Sequence, residues 1–188
     1  MSARNSMMTA ALLALAVPFG AASAQTTVVN QAVTQTEVLA AQRAWCDALV
    51  SISTTHATQG QPAAKALAER VIDAAYGYQM GAVLFKPTLT VAPQTFRTTR
   101  AGALAYFVGG DTAFPNDKGF ALNGWTKCEI ANSAIFIAGD SATTMGNVSI
   151  TGPNGAVTTV DKTWKFVKDD AGRLRIVVHH SSLPFRPN

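Results

Sequence analysis

At Gly124 the sequence changes texture, and that change constrains the fold more than any other feature. Before it, apolar residues recur at helical spacing. After it come short runs rich in β-branched and aromatic residues: Trp125–Ile130, Ser133–Ile137, Ala142–Thr151, Val157–Val167 and Leu174–Ser182. They are separated by Gly139-Asp140, Pro153-Asn154-Gly155 and Asp169-Asp170-Ala171-Gly172, residues suited to the tight turns of antiparallel hairpins. Helices followed by a meander of long strands predict an α+β domain, with the helices on one face of a curved antiparallel sheet.

The helical half is punctuated clearly. Thr34 and Glu37 form a capping-box pattern, and Val38, Gln42, Trp45, Cys46, Leu49 and Ile52 then recur on one face to about Ser53. Gly60-Gln61-Pro62 interrupts the chain, and Ala63 to Tyr76 reads as a second helix ending near Gly77. Ala82 to Phe85 is a short strand stopped by Pro87. Thr98 to Phe107 is a third helix closed by Gly109-Gly110, and Asp111 to Gly119 is a loop.

The amino terminus carries an export signal: Arg4, an apolar run from Thr9 to Val17, and Ala22-Ser23-Ala24 before Gln25. The expected organisation is a signal peptide over 1–24, a polar flexible lead-in over 25–33 and a single domain over 34–188. The protein is then periplasmic or secreted after cleavage near Ala24. The apolar run is far short of the ~20 residues needed to cross a bilayer, and no membrane span is expected. The net charge of +4 is mild, and Lys65, Arg97, Lys118, Lys127, Lys162 and Arg173 are scattered. Nothing resembles a nucleic-acid-binding stripe. Cys46 and Cys128 are the two cysteines, outside any CxxC motif, and their spacing leaves a bridge and two buried thiols equally open.

The chemistry is concentrated in Arg175-Ile176-Val177-Val178-His179-His180-Ser181-Ser182. Strand alternation carries the apolar face of Leu174, Ile176 and Val178 on to His180 and Ser182, and turns His179 and Ser181 away. Polar side chains at the end of an apolar face are either satisfied core groups or the floor of a pocket. Three histidines, His56, His179 and His180, do not assemble a three-ligand zinc site, because adjacent strand residues point apart. A serine hydrolase lacks its GxSxG elbow. Thr88, after a short strand, and Tyr106, at the end of a helical turn, are the other polar candidates; a turn residue and a core tyrosine are the plainer readings of each. Gly109-Gly110 is a helix stop before it is a phosphate site.

These same segments carry a resemblance. VLFKPT (Val83–Thr88), QTFRTT (Gln94–Thr99), GALAYFVGGD (Gly102–Asp111), GFALNGW (Gly119–Trp125), VDKTW (Val160–Trp164) and RIVVHHSSLP (Arg175–Pro184) closely resemble the iota-class carbonic anhydrases, in order, over about Thr34 to Phe185. The resemblance implies an NTF2-like cone related to the association domain of calmodulin-dependent kinase II, with a pocket inside it and a homodimer formed through the sheets. It implies reversible hydration of CO2 to bicarbonate, which is held by hydroxyls matching Thr88, Tyr106 and a serine of the HHSS stretch. Alternation favours Ser182 with His180 as a proton relay, while spacing from Tyr106 favours Ser181, so both serines are candidates. No cofactor is expected, although other members are zinc- or manganese-dependent. The competing readings are a non-catalytic small-ligand-binding or oligomerisation module of the same fold, and an enzyme acting on a larger ligand.

Overall fold

A computed structural model describes residues 31–185 and Pro187. The expected signal peptide, and all but the end of the lead-in, lie outside the described residues. At that end Val33 is already fixed: its side chain is buried and its N–H donates to the Gly139 carbonyl.

Helix α1 spans Gln35–Gln59. Its capping box forms as the sequence predicts, with Thr34 Oγ1 accepting from Glu37 N–H at 3.2 Å and the Glu37 carboxylate accepting from Thr34 N–H at 2.7 Å. The helix runs past Ser53 because its last turns are polar and largely exposed, so no apolar stripe marks them. Gly60, at φ +84°, stops it in a conformation that disfavours side chains. Helix α2, Gln61–Ala75, starts two residues earlier than the sequence reading, since Pro62 sits in the first turn, where no N–H is needed. Strand β1 is Leu84–Lys86, and α3 is Arg100–Val108, capped by Thr99.

The remaining strands are β2 (Lys127–Ala138), β3 (Ser141–Thr151), β4 (Val157–Lys168) and β5 (Leu174–Ser182). The sheet order is β1-β5-β4-β3-β2, antiparallel throughout except for the parallel β1–β5 pair. The two runs read as separate strands around Ala131-Asn132-Ser133 are one strand with a bulge. The register with β3 slips between Asn132 and Ala134, opposite Gly146 and Met145. Gly146 permits this, because a Cβ there would meet the Ala131 carbonyl and the Asn132 backbone.

The helices cover one face of the sheet. Trp45, Leu49 and Ile52 of α1 and Ile72 of α2 pack with Val148, Val160, Trp164, Phe166 and Ile176 of the strands in one core. Cys46 and Cys128 form a disulfide that ties α1 to β2, resolving the choice the sequence leaves open. The α+β class follows from the sequence pattern as predicted. Among the described residues no helix is long and apolar enough to cross a membrane.

Candidate active site

Because β1 and β5 run parallel, both deliver their C-terminal ends to the same place. Thr88 lies in the turn that follows β1, and its Oγ1 meets Ser181 Oγ of β5 at 2.5 Å. Ser181 is buried, and Lys86 Nζ donates to its carbonyl at 3.2 Å. Tyr106 comes from α3, buried, with its ring edge-on to Phe85 and stacked on Phe120. The loop leading into α3 is held by a buried bidentate pair, in which Arg97 Nε and Nη2 donate to Asp117 at 2.8 and 2.7 Å.

These hydroxyls border a cavity of about 10 Å³, counted as space open to the centre of a water molecule, with Phe85, Phe107, Phe120 and Trp45 among its walls. That is room for about one water-sized molecule. Burial pushes the Tyr106 phenol well above its ordinary pKa, outweighing the Leu89 backbone contact that lowers it. Tyr106 is therefore a neutral phenol at physiological pH, able to donate a proton in a hydrogen bond but not to act as a phenolate.

The histidine and serine placed inward by simple alternation are not the ones that enter the cavity. In the β4–β5 pair Lys165 faces Val178 while Phe166 faces Ile176, so Val177 is an extra residue and the strand bulges there. Beyond it the phase is reversed: Ile176, His179 and Ser181 are buried, His180 is exposed, and Ser182 is half-buried outside the cavity lining. The expectation that His180 and Ser182 face the pocket is thus corrected to His179 and Ser181. His180, on the other face, is not positioned as a proton relay.

Behind the hydroxyls lies a chain of buried polar groups that the sequence reading did not assign. Trp45 Nε1–H donates to Tyr76 OH at 3.0 Å, Tyr76 OH meets His179 Nδ1 at 2.8 Å, and His179 Nε2 meets Lys162 Nζ at 2.7 Å. The His179 ring stacks on Phe85, with centroids 4.3 Å apart. Burial, then the neighbouring Lys162 and His180, hold His179 well below its usual pKa, so it is a neutral imidazole. Burial also lowers the Lys162 ammonium to about 7.

The chain matches the metal-independent carbonic anhydrase family over residues 36–183. It belongs to that family. A metal-independent carbonic anhydrase from a Nostoc species is 68% identical over 163 residues, covering 87% of this chain and 80% of that one. A crystal structure of an iota-carbonic anhydrase from a cyanobacterium, complexed with bicarbonate, is 67% identical. It covers 87% of this chain and 100% of its own, with a TM-score of 0.85. A more distant structure, a calcium/calmodulin-dependent protein kinase II association domain from Xanthomonas campestris, is 21% identical with a TM-score of 0.51 and covers 85% of this chain and 98% of its own; it shares the fold alone.

The α+β arrangement that the resemblance implies is the fold of the iota-carbonic anhydrase structure and is shared by the association domain. The family's description as metal-independent agrees with the expectation of no cofactor. Among the described residues no three His, Cys, Asp or Glu side chains are grouped to hold a metal ion. What the arrangement offers chemically is a small, aromatic-walled cavity with hydroxyl groups of three side chains at one end and a buried amine beside them.

Proposed function

We propose that this chain is a carbonic anhydrase that interconverts CO2 and bicarbonate in the cavity between β1, β5 and α3. The observation that carries this reading is the convergence of Thr88, Ser181 and Tyr106 on a cavity of molecular size, in a chain 67% identical to a bicarbonate-bound relative. CO2 is apolar and matches the rings of Phe85, Phe107 and Phe120, which must part from their present packing to admit it together with a water. Water attacks its carbon, one C=O π pair moves onto oxygen, and the hydroxyls donate to the oxygens as their charge grows. Fixed donors in a site from which water is largely excluded stabilise such charge far more than donors in solution do. The cavity's size also separates this reading from an enzyme acting on a larger ligand.

Stopped-flow CO2 hydration, before and after exhaustive metal removal checked by elemental analysis, tests the proposal. Activity that survives metal removal is expected. Activity lost with the metal and restored by zinc or manganese overturns the hydroxyl-only site, and a folded protein inactive in both states is a binding or assembly module instead.

Export and dimerisation belong to the same proposal. The Cys46–Cys128 disulfide suits an oxidising compartment such as the periplasm, reached after cleavage near Ala24. Phe136 and Met145, on neighbouring strands of the sheet, are 71% and 61% exposed, an apolar surface that supports a homodimer formed through the sheets. Cell fractionation and light scattering of the mature chain test the two points separately.

A further inference from the structure

Hydration of CO2 releases a proton, and the hydroxyl groups of the site are poor acceptors for it. Thr88 and Ser181 are alcohols, and Tyr106 is held as a neutral phenol. Among the described residues no carboxylate lines the cavity. His179 is the remaining nitrogen base besides Lys162, but both of its ring nitrogens are engaged, and its depressed pKa leaves it too weak to hold a proton near neutrality.

We propose that Lys162, as a neutral amine, is the general base of the hydration reaction and, as an ammonium, the general acid of its reverse. This inference rests on the carbonic anhydrase reading above. Three observations on geometry carry it. Lys162 lines the cavity together with Thr88, Tyr106 and Ser181. It stands directly opposite Ser181 in the β4–β5 register, on the same buried face, where facing side chains start about 5 Å apart. Its Nζ is fixed by His179 Nε2 at 2.7 Å.

The hydrogen-bond chain defines how the base is presented. With the His179 proton on Nδ1, that N–H donates to Tyr76 O, which also accepts from Trp45, and the buried Tyr76 O–H is left without an acceptor among the described groups. Nε2 then accepts one hydrogen from Nζ, and the amine lone pair is left for the cavity. This arrangement accommodates both the amine and the ammonium without any change at His179. The other tautomer, in which Tyr76 O–H donates to Nδ1 and Nε2–H donates to Nζ, gives every donor of the chain an acceptor but requires a neutral amine and occupies its lone pair, so the proposal needs the first. Tyr76 and His179 are therefore positioning residues. The titratable groups facing Lys162 are His179 from β5 and Tyr106 from α3, both neutral, so among the described residues of the cavity wall no carboxylate holds Lys162 as an ammonium. The indole rings of Trp45 and Trp164, 5.0 and 5.4 Å from Nζ, favour the ammonium once formed.

The step balances. The water oxygen bonds to the CO2 carbon, a C=O π pair goes to oxygen, and the water proton moves to the Nζ lone pair, giving bicarbonate beside an ammonium. After bicarbonate leaves, Nζ returns its proton to solvent. Burial that brings the lysine to about 7 matches such a base to neutral pH.

The test compares wild type with Lys162→Met by stopped-flow hydration from pH 6 to 9, with bicarbonate affinity measured at pH 8.5 by titration calorimetry. The wild-type rate should rise with pH through a midpoint near 7. The variant should lose about 100-fold or more in kcat and lose that rising limb, while its bicarbonate affinity stays within about threefold. Lys162→Ala should be partly rescued by methylamine. A folded Lys162→Met that keeps its rate and its pH profile overturns the proposal, as does loss of bicarbonate binding in parallel with the rate. ¹⁵N NMR of wild-type lysine side chains gives an answer that does not depend on the variants' folding: a Lys162 that is still an ammonium at pH 9 also overturns it. An inactive wild type removes the carbonic anhydrase reading itself, whereas an active wild type with an unaffected variant removes Lys162 alone.

Discussion

Thr88 Oγ1 and Ser181 Oγ lie 2.5 Å apart, joining the turn after β1 to the last residues of β5. The pair exists because a parallel strand brings Thr88 to the end of β5 and a bulge at Val177 turns Ser181 toward it. Ser181→Ala removes one of the donors that would meet bicarbonate oxygens, and kcat/KM for hydration should fall about 100-fold, the scale for losing one such donor. Ser182→Ala, one residue away and outside the cavity lining, should retain near-wild-type rates. Equal losses in both variants would contradict the assignment of Ser181.

Tyr106 is buried between Phe85 and Phe120, and its ring contributes packing that phenylalanine preserves. Tyr106→Phe should therefore lose most hydration activity with little change in melting temperature. Stopped-flow rates and a thermal melt on the same sample check it; unchanged activity removes the phenol from the mechanism.

How much of this was legible beforehand differs by element. The helix starts and hairpin turns could be read because capping, glycine and proline chemistry are local. The bulges could not. A bulge at Val177 leaves every residue type in β5 compatible with unbroken alternation, and the inversion of His179 and Ser181 appears only in the register with β4. The bulge between Asn132 and Ala134 was likewise hidden, and the chain read as two strands there, since the accommodating Gly146 is on another strand. Lys162 is different. Val160, Lys162, Trp164 and Phe166 alternate onto one buried face of β4, so a lysine among core residues was visible in the sequence as an anomaly. Its partner His179 was hidden by the same bulge.

Stability should depend on pH through these two buried bases. Burial brings folded Lys162 to about 7, while the unfolded side chain keeps its proton to about 10.4. Between those values the unfolded chain binds more protons, so stability rises with pH and is lost as pH falls towards 7. The gain from pH 7 to pH 9 should be about 2 kcal/mol. His179, held neutral when folded, adds a further loss below about pH 6.5, where the unfolded imidazole protonates. Urea midpoints at pH 7 and 9 should shift upward in wild type and much less in Lys162→Met. An equal shift in both would place the effect elsewhere.

The Cys46–Cys128 bridge joins α1 to β2 across a sequence separation of 82. Closing so long a loop restricts the unfolded chain, an effect of about 4 kcal/mol in the loop-entropy description. The bridge sits beside the reciprocal amide pair of Gln42 and Asn132, at 2.8 and 2.9 Å, which also holds α1 against β2 where that strand bulges. With this second tie, the reduced protein should still fold. Its melting temperature should drop by about 10 °C in reductant, or in a Cys46→Ser, Cys128→Ser double variant. Neither cysteine lines the cavity, whose Thr88 and Ser181 come from the β1–β5 end of the sheet, so hydration activity measured well below the melting temperature should stay close to that of the oxidised protein. A melting temperature indifferent to reductant would remove the loop-entropy effect, and activity lost while the fold is retained would show that the bridge acts on the site.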